Sequence, residues 1–237
     1  MDVVFVHGAL VRDGTWWWQP TANVLQQRTG MRSHAVALPS CAEGGSTEVA
    51  ADGLAADAAA LRHVLDQLDD DTVVVAHSYG GTVVAEAGHH PAVAHLLFVS
   101  SYLPDVGQPQ GGIMSGEPDP VAVAEVRPGV IGVDGYDAES FGARFLQDAD
   151  PTTQQAAWSR VTEQAVGAFA TPTTVAGWQG VDSTYLVCTE DRSTTVGLQR
   201  HHAARATRSI DLPTGHHPFI TRPDLVADAV ERFVTTA

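Results

Sequence analysis

Val73-Val74-Val75-Ala76-His77-Ser78-Tyr79-Gly80-Gly81 runs from a β-branched segment through one serine into a pair of glycines. β-Branched residues favour an extended strand, and the residues after Gly81 read as a helix. A strand that turns sharply into a helix at a serine lifts the hydroxyl above the edge of a sheet, the geometry of a nucleophile elbow. The turn strains the serine backbone, and bulky side chains two residues to either side would collide there. Ala76 and Gly80 hold those two positions. The usual pattern has glycine at both, so Ala76 is a departure by one methyl group. The same residues also fit a plain buried strand followed by a glycine-containing turn with a capping serine. The rest of the chain separates the two readings.

Working outward, strands and helices alternate. Val3 to His7 is a short β-rich run. A helix begins near Trp16-Trp17-Trp18 and runs to Gln27, with Gly30 as its stop. Ser33 to Leu38 is a second strand, closed by Pro39, and a loop with Gly44, Gly45 and Ser46 follows. Leu54, Ala58, Leu61, Leu65 and Leu68 share one helical face. Thr72 to His77 is the third strand and Leu96 to Ser100 the fourth. Tyr185 to Cys188 and Ser209 to Leu212 continue the series, with a helix between them over Val196 to Ala206. The last helix starts near Thr221-Arg222-Pro223-Asp224 and buries Leu225, Val226, Ala229, Val230 and Phe233. Such alternation predicts an α/β fold: a mostly parallel central sheet of about six strands with helices on both faces. Residues 104–180 break the rhythm. They are rich in Gly and Pro first and helical later, with Pro151 at a helix start, and no strand is evident. We expect a helical cap over 104–180, inserted into a core formed by 1–103 and 181–237.

Composition bounds the function. The chain has 237 residues, 44% of them hydrophobic and 17% charged, enough for one large domain with a sizeable core. Its net charge is −15, and all thirteen basic residues are arginine. That acidity argues against nucleic acid or an anionic membrane as partner, and the expected partner is a small-molecule substrate. The apolar run at Val3 is too short for a signal peptide or a membrane span. Cys41 and Cys188 end apolar runs and read as free thiols in a reducing compartment, so the expected location is cytoplasmic.

A serine hydroxyl needs a base within hydrogen-bond reach, and that base, normally histidine, needs a carboxylate to orient it. In an elbow-type sheet enzyme these follow the serine in the order acid, then histidine. Thr189-Glu190-Asp191 follows one later strand, and Gly215-His216-His217-Pro218 follows the next. Parallel sheets carry their working residues at such carboxyl ends. Spacing does not separate Glu190 from Asp191, and His216 is preferred to His217 as base. Histidine pairs also stand at His89-His90 and His201-His202, with no Cys or carboxylate at ligand spacing, which argues against a metal. An oxyanion would need two donors: the N–H of Tyr79, next after the serine, and that of Ala9 in the loop after the first strand. Trp16, Phe141, Phe145, Trp158, Phe169 and Trp178 are the aromatic candidates to line a substrate pocket.

The chain resembles the α/β-hydrolase superfamily, and within it the small branch of plant methylesterases, hydroxynitrile lyases and their bacterial relatives. The matching residues are Phe5-Val6-His7-Gly8-Ala9 with Trp16 and Trp18, His77-Ser78-Tyr79-Gly80-Gly81, Phe98 to Pro104, Cys188-Thr189-Glu190-Asp191-Arg192 and Gly215-His216-His217-Pro218-Phe219. The resemblance implies a Ser78–His216–Asp191 triad, an Ala9/Tyr79 oxyanion hole and a mechanism without cofactor. It disfavours lyase activity, because lyase members place lysine where His217 stands and commonly threonine where Gly8 stands. Dehalogenase chemistry would want aspartate in place of Ser78. The expected function is hydrolysis of an ester or related acyl or lactone bond in a small, largely apolar substrate. Other readings are a biosynthetic lactonase or cyclase, a C–C hydrolase, a cofactor-independent oxygenase, or a non-enzymatic ligand receptor on the same scaffold.

Overall fold

The computed structural model describes residues 1–45, 48–68 and 71–234. Ser46, the third residue of the expected glycine loop, lies outside them. The chain opens with β1 (Asp2–Val6), α1 (Gly14–Thr29), β2 (Arg32–Ala35) and α2 (Leu54–Leu65). Next come β3 (Thr72–His77), α3 (Gly80–Ala87) and β4 (Val93–Val99). Helix α1 ends where the sequence places its stop: Gly30 adopts φ 72°, and its N–H donates to Gln26 O over 3.1 Å.

The block between β4 and the next long strand holds α4 (Gln110–Met114), β5 (Val123–Arg127), β6 (Val130–Val133), α5 (Ala138–Phe145), α6 (Pro151–Trp158), β7 (Gln164–Ala165) and α7 (Gly167–Ala170). The strandless, helical reading of 104–180 is therefore corrected, since β5, β6 and β7 form an antiparallel sheet of their own. Two helices of the block are capped by side chains, and Pro151 stands at a helix start as expected. Asp150 accepts from Thr152 N and Thr153 N ahead of Pro151, and Asp137 and Ser140 form a capping box on α5.

The chain closes with β8 (Ser183–Cys188), α8 (Val196–Ala203), β9 (Arg208–Leu212), α9 (Pro218–Thr221) and α10 (Pro223–Val234). The main sheet has the order β2-β1-β3-β4-β8-β9, and every neighbouring pair is parallel. Side chains alternate across it. Val4, Val6, Val74, Ala76, Leu96 and Phe98 face a core with α2 and α3, through Leu54, Leu61, Leu65 and Val83. Val3, Phe5, Val73, Val75, Leu97 and Val99 face the other, with Trp17, Trp18 and Leu25 of α1 and Val226 and Val230 of α10. Burial on both faces explains why these strands read as continuous apolar runs. No helix among the described residues is long and apolar enough to cross a membrane.

Candidate active site

Ser78 stands between β3 and α3 with φ 51°, a left-handed conformation that costs a non-glycine residue ~1–3 kcal/mol at such a site. The surroundings hold it there. Its N–H donates to Val99 O over 3.3 Å, and its carbonyl accepts from Gly81 N, Tyr102 N and Ser101 Oγ at 3.1, 3.2 and 2.8 Å. A Cβ on Gly80 would lie 2.5 Å from Val6 O, and one on Gly81 would overlap Tyr102 O and Ser101 Oγ. Ala76 instead sits inside the sheet, paired with Val6 and Phe98 and fully buried. Its methyl group fills core, which is why alanine is accepted there.

His216 follows β9, and its Nδ1 donates to Asp191 Oδ2 over 2.7 Å. Asp191 follows β8 and is enclosed by donors. Ser100 Oγ and Gln199 Nε2 donate to Oδ2 at 2.5 and 3.1 Å, and Ser193 N and Thr194 N donate to Oδ1 at 2.7 and 3.0 Å. Burial alone would raise the Asp191 pKa, but the charge and hydrogen bond of His216, with Ser100 and Ser193, bring it below the usual carboxylate value. The neighbouring Glu190 accepts at its backbone carbonyl from Gln147 Nε2 at 2.7 Å, and its N–H donates to Thr214 O at 3.0 Å. Ser100 and Gln199 were not singled out from the sequence. The only signal for Ser100 is its place at the carboxyl end of β4.

The loop after β1 is fixed from below. His7 Nδ1 donates to Gly8 O at 2.8 Å, and Nε2 donates to Glu43 Oε2 at 2.7 Å. Burial would lower the His7 pKa, yet the hydrogen bond and charge of Glu43 outweigh it and hold it above the ordinary value. A Cβ on Gly8 would sit 3.0 Å from His77 Nδ1 and 3.3 Å from Ser78 Cβ, so this position favours glycine. Farther along, Leu10 N donates to Gln164 Oε1, whose amide Nε2 donates to Ser40 Oγ, at 2.8 and 2.9 Å. Ser40 Oγ and Tyr79 OH then both donate to Asp57 Oδ2, at 2.6 and 2.7 Å. One buried chain of hydrogen bonds thus connects the loop after β1 with the residue that follows Ser78. Among the described residues, the backbone N–H groups of Ala9 and Tyr79 find no acceptor.

Ser78, His216, Gly8 and Ala9 line one cavity, with about 600 Å³ of space that is partly open to solvent. Among the described residues, the inserted block supplies seven of the seventeen that line it: Gln110, Met114, Val121, Val133, Phe141, Phe145 and Phe169. Three of the six expected pocket aromatics are therefore here, and Trp16, Trp158 and Trp178 are not among the lining residues. Trp16 lies under the Arg160 guanidinium at 4.2 Å. Trp158 packs on Phe141, with ring centroids 5.5 Å apart. Trp178 is buried, with Nε1 donating to Pro104 O over 2.8 Å. Among the described residues Ser78 Oγ makes no hydrogen bond, to His216 or to any other group.

His77 and His217 complete the floor. His77 Nε2 donates to His216 O at 3.0 Å, and His217 Nδ1 donates to Phe145 O at 2.8 Å while its ring stacks on Trp17. Burial first, then the neighbouring His216, keeps the His77 pKa well below the ordinary value and lowers that of His217 to about 3. One nitrogen from each of His77, His216 and His217 lies within 4.8 Å of the others. A tetrahedral zinc ion with Zn–N bonds near 2.0–2.1 Å would need them roughly 3.4 Å apart. The three rings would have to close up to hold it.

A model of the alpha/beta hydrolase family matches residues 3–229. The alpha/beta hydrolase nvfD of Aspergillus novofumigatus is 27% identical over 190 residues, which are 72% of this chain and 74% of that protein. The crystal structure of a pyrethroid hydrolase from Sphingobium faniae JZ-2 superposes with a TM-score of 0.81 at 22% identity, covering 100% of this chain and 98% of that one. A methylesterase from Arabidopsis gives a TM-score of 0.76 at 17% identity, with 100% of both chains covered. The two solved structures share the fold, the family model spans nearly the whole chain, and the chain is thus an enzyme that belongs to the alpha/beta hydrolase family.

Proposed function

We propose that the protein is a serine hydrolase that cleaves an ester or lactone bond of a small, largely apolar molecule. One observation carries the reading: Ser78, held at φ 51° on its turn, opens into the same apolar cavity as a His216 whose Nδ1 is hydrogen-bonded to Asp191 at 2.7 Å. In the first half-reaction Ser78 Oγ attacks the substrate carbonyl carbon while its proton passes to His216 Nε2. Asp191 supports the resulting imidazolium. The free N–H groups of Ala9 and Tyr79 receive the oxyanion. Collapse of the intermediate breaks the acyl C–O bond, and His216 returns the proton to the departing alcohol. Water then attacks the acyl-enzyme with His216 again as base, releasing the acid and restoring Ser78. The inserted block acts as the cap that encloses the acyl group. A hydrolase and a methylesterase among the similar structures support an ester as the bond. The buried free thiols of Cys41 and Cys188 support a reducing compartment such as the cytoplasm.

Labelling by a fluorophosphonate probe, followed by a panel of esters, lactones and β-diketones, tests the proposal. We expect labelling at Ser78 and fastest turnover of esters with apolar acyl groups. Ser78→Ala should abolish labelling and lower kcat by about a millionfold, as in the best-characterised triad of this kind. Near-normal ester turnover by Ser78→Ala would sink the assignment, and a preference for β-diketones would move it to C–C hydrolysis.

A further inference from the structure

The cavity wall holds a buried polar residue, Gln110, that the proposed triad does not use. Gln110 opens α4 and is 1% exposed. The Thr82 hydroxyl donates to its Oε1, so the amide is held by a residue of α3, the helix that begins just after Ser78. Its Nε2 has no acceptor among the described residues, and the residue lines the cavity. The wall also includes the apolar Leu10, Val11, Met114, Val133, Phe141 and Phe169, and among the described residues no Asp, Glu, Lys or Arg lines the cavity. The Nε2 atom is not among the fully enclosed polar atoms that lack a partner, so it keeps access to the cavity, where a ligand oxygen can accept from it. Sites built to hydrogen-bond a substrate group discriminate strongly against analogues that lack it.

We propose that Gln110 is a specificity-determining residue, and that its Nε2 donates to a second oxygen of the substrate, a ketone or ether oxygen apart from the scissile bond. The substrate class is then a neutral, mostly apolar ester with one additional hydrogen-bond acceptor. An anionic substituent is disfavoured, because the cavity offers no cation to pair with it. This inference rests on the serine-hydrolase reading and names the substrate that reading leaves open.

The test uses two matched series. One pairs 4-nitrophenyl hexanoate with its 4-oxo and 5-oxo analogues; the other pairs alkyl acetates with alkoxyalkyl acetates of equal length. The readout is the ratio of kcat/KM for the oxygenated ester to that for the plain one, in the wild type and in Gln110→Leu. We expect Gln110→Leu to lower this ratio by about 10- to 100-fold in at least one series. Gln110→Met, closer in shape, and Thr82→Val, which frees the amide from its anchor, should lower it in the same direction, so the test survives misfolding of any one variant. Gln110→Glu should lower it further, because a carboxylate repels an acceptor oxygen. Ratios within twofold of wild type for all variants in both series would overturn the inference. Failure of wild-type Ser78 to label with fluorophosphonate is a separate outcome and would overturn the underlying hydrolase reading.

Discussion

Ser100 Oγ donates to the same Asp191 oxygen that accepts His216 Nδ1, over 2.5 and 2.7 Å, and lies 3.2 Å from that nitrogen. Ser100 has φ 41° and is fully buried, and its N–H donates to Leu186 O of β8 over 3.1 Å. The end of β4 thus sets the carboxylate that sets the histidine. Ser100→Ala keeps the backbone conformation at similar strain and removes only the hydroxyl. We expect kcat on a model ester to fall roughly tenfold with KM nearly unchanged, because on the proposed mechanism the loss concerns orientation of His216 rather than substrate contact. Steady-state kinetics checks this. A kcat within twofold of wild type would mean that Ser193, Thr194 and Gln199 orient Asp191 without help.

The sheet, and the edge at which Ser78, Asp191 and His216 stand, were legible in the sequence because each element carries its own signal. Thr72–His77 is the expected strand residue for residue, and Gly30 stops α1 where a C-terminal glycine should. The antiparallel sheet of the insert was not legible. Val123–Arg127 is mostly exposed and contains Glu125 and Arg127, Val130–Val133 has four residues with Gly132 among them, and Gln164–Ala165 has two. None offers a run long enough for a period to show. The polar supports were hidden for another reason. Asp57, Ser100, Gln110 and Glu43 are single residues whose partners stand far away in the chain, as with Ser100 and Asp191, 91 positions apart. Aromatic content likewise located the wall of the cavity but could not say that Trp178 turns toward Pro104 and Arg205 instead.

Tyr79 was read from sequence only for its backbone N–H, yet its hydroxyl donates to Asp57 at 2.7 Å in a fully buried site. Burial first, and then the Asp57 charge, pushes its pKa well above the ordinary value, so it remains a donor throughout the neutral range. Tyr79→Phe leaves Asp57 with the two Ser40 donors alone. The expected cost is about 1.5–3 kcal/mol, the range for hydrogen bonds to a charged group. Urea denaturation of the two proteins measures it, and an unchanged midpoint would show that Asp57 is carried by Ser40.

Acid should destabilise the protein earlier than carboxylate titration alone allows. His77, His95, His202 and His217 are buried, and in each burial is the leading cause of a lowered pKa: well below 6.5 for His77, about 4 for His95, and about 3 for His202 and His217. Between those values and 6.5 the unfolded chain takes up protons that the folded chain refuses, so stability falls as pH drops below 6.5. Each ring contributes a slope of about 1.4 kcal/mol per pH unit in that window. His7, with its raised pKa, has the opposite sign: its contribution is complete below 6.5 and is lost as pH rises through the folded value. Four rings outweigh one on the acid side. Urea midpoints at pH 7, 6 and 5 should therefore decline, and His217→Phe, which keeps an aromatic ring beside Trp17, should flatten the decline by one ring's share. A midpoint constant from pH 7 to 5 would contradict the lowered values.

The elbow itself makes the most selective prediction, because its three small residues are small for different reasons. A Cβ at Gly80 meets the Val6 carbonyl, and a Cβ at Gly81 meets the Tyr102 carbonyl and the Ser101 hydroxyl that holds Ser78 O. Relief of either contact requires a shift of backbone that carries Ser78 or the loop after β4. Gly80→Ala and Gly81→Ala should each cost about 3 kcal/mol, at the upper end for overpacked sites, and Ser78 labelling should slow in those variants that remain folded. Ala76 is a fully buried core residue of β3, so Ala76→Gly should cost about 1 kcal/mol, from chain entropy and lost packing, and leave labelling close to wild type. Denaturation midpoints and labelling rates for the three variants decide the matter. If Ala76→Gly accelerated labelling while Gly81→Ala left it unchanged, the turn would be governed by the position two residues before Ser78, and the account of Ala76 as a core residue would fail.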